Sequence, residues 1–383
     1  MAASMNAPSV GPWSRLLWPA VAAVALHAAI MALYVAAFRG DVSSLVCAGR
    51  EDVGRPPYET IRVGFPTGGY DGKLYYALAR SPWKPHDWGG FDDPARRQVR
   101  ILYPALAWLL SAGNPYLLLW ALPAVNLAVI AGMALLGAYV AVRHGLSPWW
   151  GFVLPLAVNA GLPALRDLTD PLSTLAAFGL LAGWLLGWRW WVLTLWAAAA
   201  LFSREQNLAV VAILLAAAVL ARRPRAAAGL AAVIVVWLVW IGALWLGYQR
   251  WPFQSGEGLF AWPLAGMIGR WVHPTGDSGG RLSALQNLLG LSYLTVQILL
   301  ALALTTFRAD WTLKAVLLCG VGLAVLGGPP FYMDLFGYTR LFCFLPLGAW
   351  LVSVQARKRW PMWLLTPAAV WPFAVVLRAW QGY

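Results

Sequence analysis

An all-α polytopic membrane protein is the fold class this sequence predicts, and three observations predict it. Of 383 residues, 61% are hydrophobic and only 11% are charged, where a soluble globular domain carries about 25% charged residues. Apolar runs close to the length of a bilayer crossing recur along the whole chain, and the mean hydropathy is +0.65. The 25 Trp suit a protein that meets the membrane–water interface many times. The same figures exclude an ordinary soluble enzyme, a disordered chain and a collagen-like repeat.

About 20 apolar residues cross the hydrocarbon core. Runs of that kind lie near 17–38, 115–142, 148–165, 170–188, 190–203, 206–221, 226–247, 284–306, 311–327, 338–355 and 361–379, about 11 spans in a single transmembrane domain over 1–383. The runs at 148–165 and 190–203 are short or interrupted and carry the weakest signal. The first run is longer than the 7–15 residue core of a signal peptide, so it reads as a span. His27 within it reads as a satisfied core residue. The stretch 101–112 holds Pro104 and is too short to span, which predicts an interfacial or re-entrant helix. Cys47, Cys319 and Cys343 form neither a disulfide framework nor a metal-ligand spacing, and the four His are scattered.

A net charge of +13 would suggest nucleic acid as a partner of a soluble protein. Sorting the charges by side removes that need. With the N-terminus in the cytoplasm, the inner turns hold Arg15, Arg143, Arg189, Arg222, Arg223, Arg225, Arg308, Lys314, Arg357, Lys358 and Arg359, with Asp310 the only acid. The positive-inside rule therefore predicts a cytoplasmic N-terminus and an external C-terminus. A first external loop, 39–112, and a second, 248–283, then carry most of the remaining polar residues.

Eight acids lie in the first loop: Asp41, Glu51, Asp52, Glu59, Asp71, Asp87, Asp92 and Asp93. Its aromatic and apolar content predicts that it folds on the membrane surface, with Cys47 open to reagents from outside. In GYDGKLYYALAR, 69–80, glycines permit a tight backbone around Asp71, and Leu74, Ala77 and Leu78 recur at the spacing of an interfacial amphipathic helix. Asp71 is either the N-cap of that helix or a carboxylate facing a cavity. In FDDPARRQVRILYPALAWLL, 91–110, Asp92 and Asp93 precede Pro94, a good helix start, and Arg96, Arg97 and Arg100 follow. These arginines either recognise a phosphate, snorkel to headgroups, or pair with Asp92 and Asp93.

Three later external turns carry charges between apolar runs: Arg166, Asp167 and Asp170; Arg204 and Glu205; Asp334, Tyr338 and Arg340. Ionisable groups at membrane depth are costly and face a cavity or one another. Pairing of Arg204 with Glu205 or Asp167, or an N-cap role for Asp170, would explain them structurally. Their common side predicts one polar cavity roofed by the first loop. No Walker, GxSxG, HExxH or GxGxxG motif stands in a fitting context, and the cytoplasmic turns are too short to house a nucleotide site.

This layout resembles the GT-C superfamily of integral-membrane glycosyltransferases, and the two blocks resemble a bacterial branch of GT-C-like membrane proteins. Members there tend to read GYDGQ-Y-Y and then D-PAYRYQRILYP. Gly69, Tyr70, Asp71, Gly72, Tyr75 and Tyr76 match the first block. Asp93, Pro94, Ala95, Arg97, Gln98, Arg100, Ile101, Leu102, Tyr103 and Pro104 match the second. Lys73 and Arg96 stand where Gln and Tyr are usual. The likeness is specific over 65–112, weaker at the Ser-Arg-Glu turn 203–205, and rests on hydropathy beyond about 230. The YDG block is also similar to the WDG block of GPI-pathway mannosyltransferases.

The resemblance implies a bacterial inner-membrane enzyme that takes a sugar from a polyprenyl-phosphate donor within the membrane lipid and passes it to an acceptor outside, without nucleic acid. Asp71 would act as general base, with Asp41 the rival because many members carry their base near the first span. Arg96, Arg97, Arg100, Arg204 or Arg340 would hold the phosphate. Tyr70, Tyr75, Asp92, Asp93, Asp167, Asp170 and Glu205 complete the expected substrate site. Some members use a divalent metal, and Asp92 with Asp93, or Asp167 with Asp170, would offer oxygen ligands to Mg or Mn. The rival functions are a transporter or flippase, which would put its binding groups at the bilayer midplane, and a non-catalytic scaffold.

Overall fold

A computed structural model of the chain describes residues 14–66, 68–84, 93–254, 258–274, 281–332, 337 and 342–382, with the side chains of 281–283 excepted. Asp87, Asp92, Asp334, Tyr338 and Arg340 lie outside these described residues. The protein is 73% helical with almost no sheet.

The chain opens with α1 (Ser14–Ala37) and enters the first loop through a 3-10 turn at Val42–Val46. Two-residue strands β1 (Ala48–Gly49) and β2 (Gly64–Phe65) pair in parallel. They precede α2 (Gly72–Arg80), α3 (Pro94–Gln98) and α4 (Leu102–Ser111). Then follow α5 (Pro115–Arg143), α6 (Trp150–Ala157), α7 (Gly161–Ala164), α8 (Asp170–Leu185), α9 (Trp190–Ser203), α10 (Leu208–Leu220) and α11 (Pro224–Tyr248). After α12 (Ala265–Val272) come α13 (Arg281–Leu304), α14 (Trp311–Leu326), α15 (Phe344–Gln355), α16 (Trp360–Leu365) and α17 (Val370–Trp380).

Among the described residues, five helical segments are long and apolar enough to cross a membrane: Ser14–Ala37, Pro115–Arg143, Pro224–Tyr248, Ala284–Leu304 and Trp360–Trp380. The last joins α16 and α17 through a 3-10 turn at Thr366–Ala369. Shorter apolar helices fill the places of several other expected runs. The run at 148–165 is not one helix. Asn159 takes a left-handed φ of 54° between α6 and α7, a conformation that ends an α-helix. The expected short helix at 101–112 is α4, which starts two residues before Pro104, where a missing N–H costs nothing.

The core is helix on helix. α5 starts on Asn114, whose Oδ1 accepts from Tyr116 N and Leu117 N, with Pro115 preset for the first turn. It packs on α1, α4, α6 and α8. α8 and α15 are buried along nearly their whole length. By contrast α1 and α11 leave large apolar side chains exposed, among them Trp18, Val235 and Leu246. A helix that exposes such side chains is stable in lipid rather than in water, so the protein is embedded in a membrane through these long apolar helices.

One expectation about the first loop is corrected. α2 is not an interfacial helix with one face on lipid. Leu74, Ala77 and Leu78 are buried, and so are Tyr75, Tyr76 and Ala79 on the other faces. The helix is enclosed because α4, α5 and the Val42–Val46 turn cover it. Cys47 is likewise fully buried rather than open to reagents. His27 is a core residue as expected, its Nδ1 2.8 Å from Ala23 O.

Candidate functional site

The GYDG block sits at a crossing of three chain segments. Tyr70 N donates to Cys47 O over 2.7 Å, and Gly69 bridges Ala48 with φ +81°. A Cβ on Gly69 would come within 2.3 Å of Cys47 O, and one on Gly72 within 2.2 Å of Arg166 O. Only glycine allows both approaches. Asp71 is thus clamped between the end of the Val42–Val46 turn and the turn that follows α7.

Asp71 occupies the cap position of α2, yet its side chain makes no capping bond. It turns to Arg97, whose Nη2 lies 3.1 Å from Asp71 Oδ1. The two side chains are 16% and 9% exposed, so the pair lies near the surface without being open. The N-cap reading of Asp71 is therefore replaced by an ion pair across the loop. Asp41, the rival carboxylate, does cap: its Oδ1 accepts from Ser43 N at 2.9 Å. Lys73 points elsewhere, donating to Asp52 Oδ2 at 2.6 Å and to Gly68 O at 2.9 Å.

The three arginines of the second block have separate fates. Arg97 holds Asp71. Arg100 is buried and grips Glu205 with Nε on Oε2 at 2.8 Å and Nη2 on Oε1 at 2.5 Å, while its Nη1 donates to Tyr75 OH at 3.2 Å. Burial alone would raise the Glu205 carboxyl, but Arg100 outweighs it and holds the group well below the usual carboxylate range. Arg96 is half-buried, and among the described residues it forms no ion pair. Burial and the neighbouring Arg100 and Arg97 push its pKa below the arginine norm. A cation so placed gains from an incoming anion. Asp93, at the start of α3, takes a left-handed φ of 47° and makes no side-chain cap.

The turns at 166–170 and 203–205 meet below this layer. Arg204 pairs with Asp170, both buried, rather than with Glu205 or Asp167. Asp170 is the first residue of α8 and does not cap it. Arg166 donates to Cys47 Sγ at 3.1 Å and lies 5.3 Å from the centre of the Tyr70 ring. Asp167 is fully buried with φ 47°, and neither carboxylate oxygen has a partner among the described residues. Burial alone raises its pKa strongly. Asp167 and Asp170 do not fit a divalent metal, since Arg204 takes Asp170 and Asp167 stands by itself. Among the described residues no group of three or more His, Cys, Asp or Glu comes together.

Beside the arginines runs an apolar groove of about 420 Å³, lined by residues that include Trp83, Ile101, Ala105, Leu195, Phe202 and Trp240. It lies between α4, α9 and α11. Ile101 and Phe202 of its lining are close in sequence to Arg100 and Arg204, but no charged side chain lines the groove itself.

The structure therefore brings together Tyr70, Tyr75, Asp71, Arg96, Arg97, Arg100, Asp167, Asp170, Arg204 and Glu205, with Asp93 at the edge. Asp92 and Arg340 fall outside the described residues. Sequence reasoning missed two supports. Gln98 ties the loop to α11, its Nε2 donating to Pro82 O at 2.6 Å and its Oε1 accepting from Tyr248 OH at 2.5 Å. Tyr103 lies edge-on to Tyr75, their ring centres 5.9 Å apart, and its OH accepts from Asn126 Nδ2 at 2.9 Å. Both stand within the second charged block, 91–110, whose apolar and charged pattern does not reveal these partners. Compared with models of protein families, with curated proteins and with solved structures, the chain finds no match.

Proposed function

We propose that this chain is an integral-membrane glycosyltransferase of the GT-C kind, moving a sugar from a polyprenyl-phosphate donor to an acceptor on the external face. The observation that carries the proposal is the pose of Asp71. Its carboxylate is released from helix capping, left near the surface and fixed by Arg97, next in the chain to Arg96, which forms no ion pair among the described residues. The resemblance of residues 65–112 supports the same reading, and so does an apolar groove whose lining includes Ile101 and Phe202, neighbours in sequence of the arginine-bearing segments, as the chain of a lipid-linked donor would use. The eleven-span layout with a cytoplasmic N-terminus belongs to this proposal.

In the reaction, the acceptor hydroxyl attacks the anomeric carbon as the bond from that carbon to the phosphate oxygen breaks. The leaving phosphate takes the electron pair, and Asp71 takes the hydroxyl proton. Arg96, joined by Arg97, stabilises the charge on the leaving phosphate. A phosphate leaves without a strong acid, so one carboxylate with arginines suffices.

The test is Asp71→Asn, with the amount of protein in the membrane measured alongside. Loss of a surface glycan at normal protein level is the expected outcome. Normal glycan from Asp71→Asn, with loss from Asp41→Asn, would move the base to Asp41. Lipid moved across vesicles with no covalent product would identify a flippase instead.

A further inference from the structure

The described part of the second loop is stapled to the end of α14. Ala261 N donates to Leu326 O at 2.9 Å, Leu264 N to Val325 O at 2.6 Å, and Gly328 N to Leu259 O at 2.8 Å. Within α12, Gly266 lies so close to the next segment that a Cβ would stand 2.4 Å from Gly327 O. These contacts prevent α12 from rolling about its axis, so the direction of its outer face is set.

That outer face is apolar. Leu264, Ile268, Trp271 and Val272 recur at the i, i+4, i+7, i+8 spacing of one helical stripe, and all are exposed, Ile268 at 52% and Val272 at 64%. Phe260 and Trp262 extend it, Trp262 at 86% exposure. A rigid helix that turns such a stripe outward marks an interaction surface. The occupant follows from the neighbours. α12 packs on α13 and α14, and α13 itself exposes Leu285, Leu289 and Leu299, the stripe of a helix that meets lipid. By sequence the loop 248–283 carries Arg250, Arg270 and Arg281 against Glu257 and Asp277, a small positive excess that is compatible with anionic headgroups. A single eight-residue helix face is small against the ~800 Å² per partner of a stable protein interface, which disfavours a second copy.

We propose that α12 and the Phe260–Trp262 segment form an in-plane membrane anchor, seated at the headgroup boundary of the leaflet that adjoins the second loop. The anchor fixes the end of α14 at that level. It does not depend on the glycosyltransferase reading.

The test places single nitroxide labels on Ile268→Cys and Val272→Cys in the full chain. Cys319, the one native cysteine that is not fully buried, is replaced by Ala. The protein is reconstituted in vesicles containing phosphatidylglycerol. Both sites are expected to collide with oxygen and to be shielded from a water-soluble nickel chelate. A label at the exposed Arg55→Cys is expected to show the reverse. Nickel access at 268 and 272 equal to that at 55 would overturn the anchor. So would shielding from both probes, which would mean that protein covers the face. Two independent surface sites guard against one label disturbing the loop.

Discussion

Replacing Glu205 with Gln leaves Arg100 as an uncompensated buried cation, and the structure gives the size of the loss. Arg100 reaches both Glu205 oxygens, at 2.8 and 2.5 Å, with its side chain 4% exposed. At such separations and an effective dielectric near 20, the attraction is about 6 kcal/mol. Glu205 keeps 25% of its side-chain exposure, which lowers that figure, while breaking a buried pair typically costs about 3–5 kcal/mol. The expected loss is ~3 kcal/mol, about a hundredfold in the folding constant. Reversible unfolding in bicelles, followed by steric trapping, measures it. Arg100→Met with Glu205→Gln should recover about half, since no charge is then stranded. The sign with pH is set by the depressed Glu205 pKa. The contribution is full above the unfolded value of about 4.3 and is lost as pH falls toward the folded value. Wild type and Glu205→Gln should therefore differ by a constant amount from pH 6 to 8 (roughly, from that reference value) and converge in acid. A loss under about 0.5 kcal/mol, the worth of an exposed ion pair, would refute the reasoning.

Asp167 predicts the opposite pH trend. Its raised pKa means that its contribution is greatest below the unfolded value of about 3.9 and is lost as pH rises toward the folded value. Asp167→Asn should therefore gain about 1–3 kcal/mol near neutrality and little in acid, and an equal gain at both would remove the argument. Arg96→Ala should change stability by less than about 0.5 kcal/mol, because no described carboxylate pairs with it. On the proposed function it raises the donor KM about tenfold, the worth of one charge-assisted bond, and an unchanged KM would rule out its phosphate role. Gly72→Ala should abolish folded protein, since the new Cβ meets Arg166 O at 2.2 Å, while Gly242→Ala in α11, with nothing within 4 Å, should be tolerated. Folded yields in membranes compare the two.

Much of the helical framework is legible in composition and hydropathy, because burying backbone polar groups in lipid leaves the chain few options other than helices. The long runs at 17–38, 115–142 and 226–247 appear as α1, α5 and α11 almost residue for residue. What hydropathy does not carry is whether an apolar face meets lipid or protein. α2 has the periodicity of a surface helix yet is enclosed on every side. The break at Asn159 also escapes, since a single left-handed residue leaves no mark on the average apolarity of 148–165.

At the site, the residue types were readable and the partnerships were not. Charges too costly to leave alone at membrane depth must converge, and the loop, the 166–170 turn and the 203–205 turn do so. But pairing is decided by distances between segments far apart in sequence. Arg100 and Glu205 are separated by 105 positions, and Arg204 passes over its neighbour Glu205 for Asp170. The exchange has a chemical consequence. Each of Arg97, Arg100 and Arg204 is committed to a carboxylate, so the buried pairs neutralise one another and hold four chain segments in register. Arg96 beside them forms no ion pair among the described residues, although Asp93 and Glu205 act on it from farther away. On the proposed function, a donor phosphate can pair with Arg96 directly and with Arg97 only by competing with Asp71.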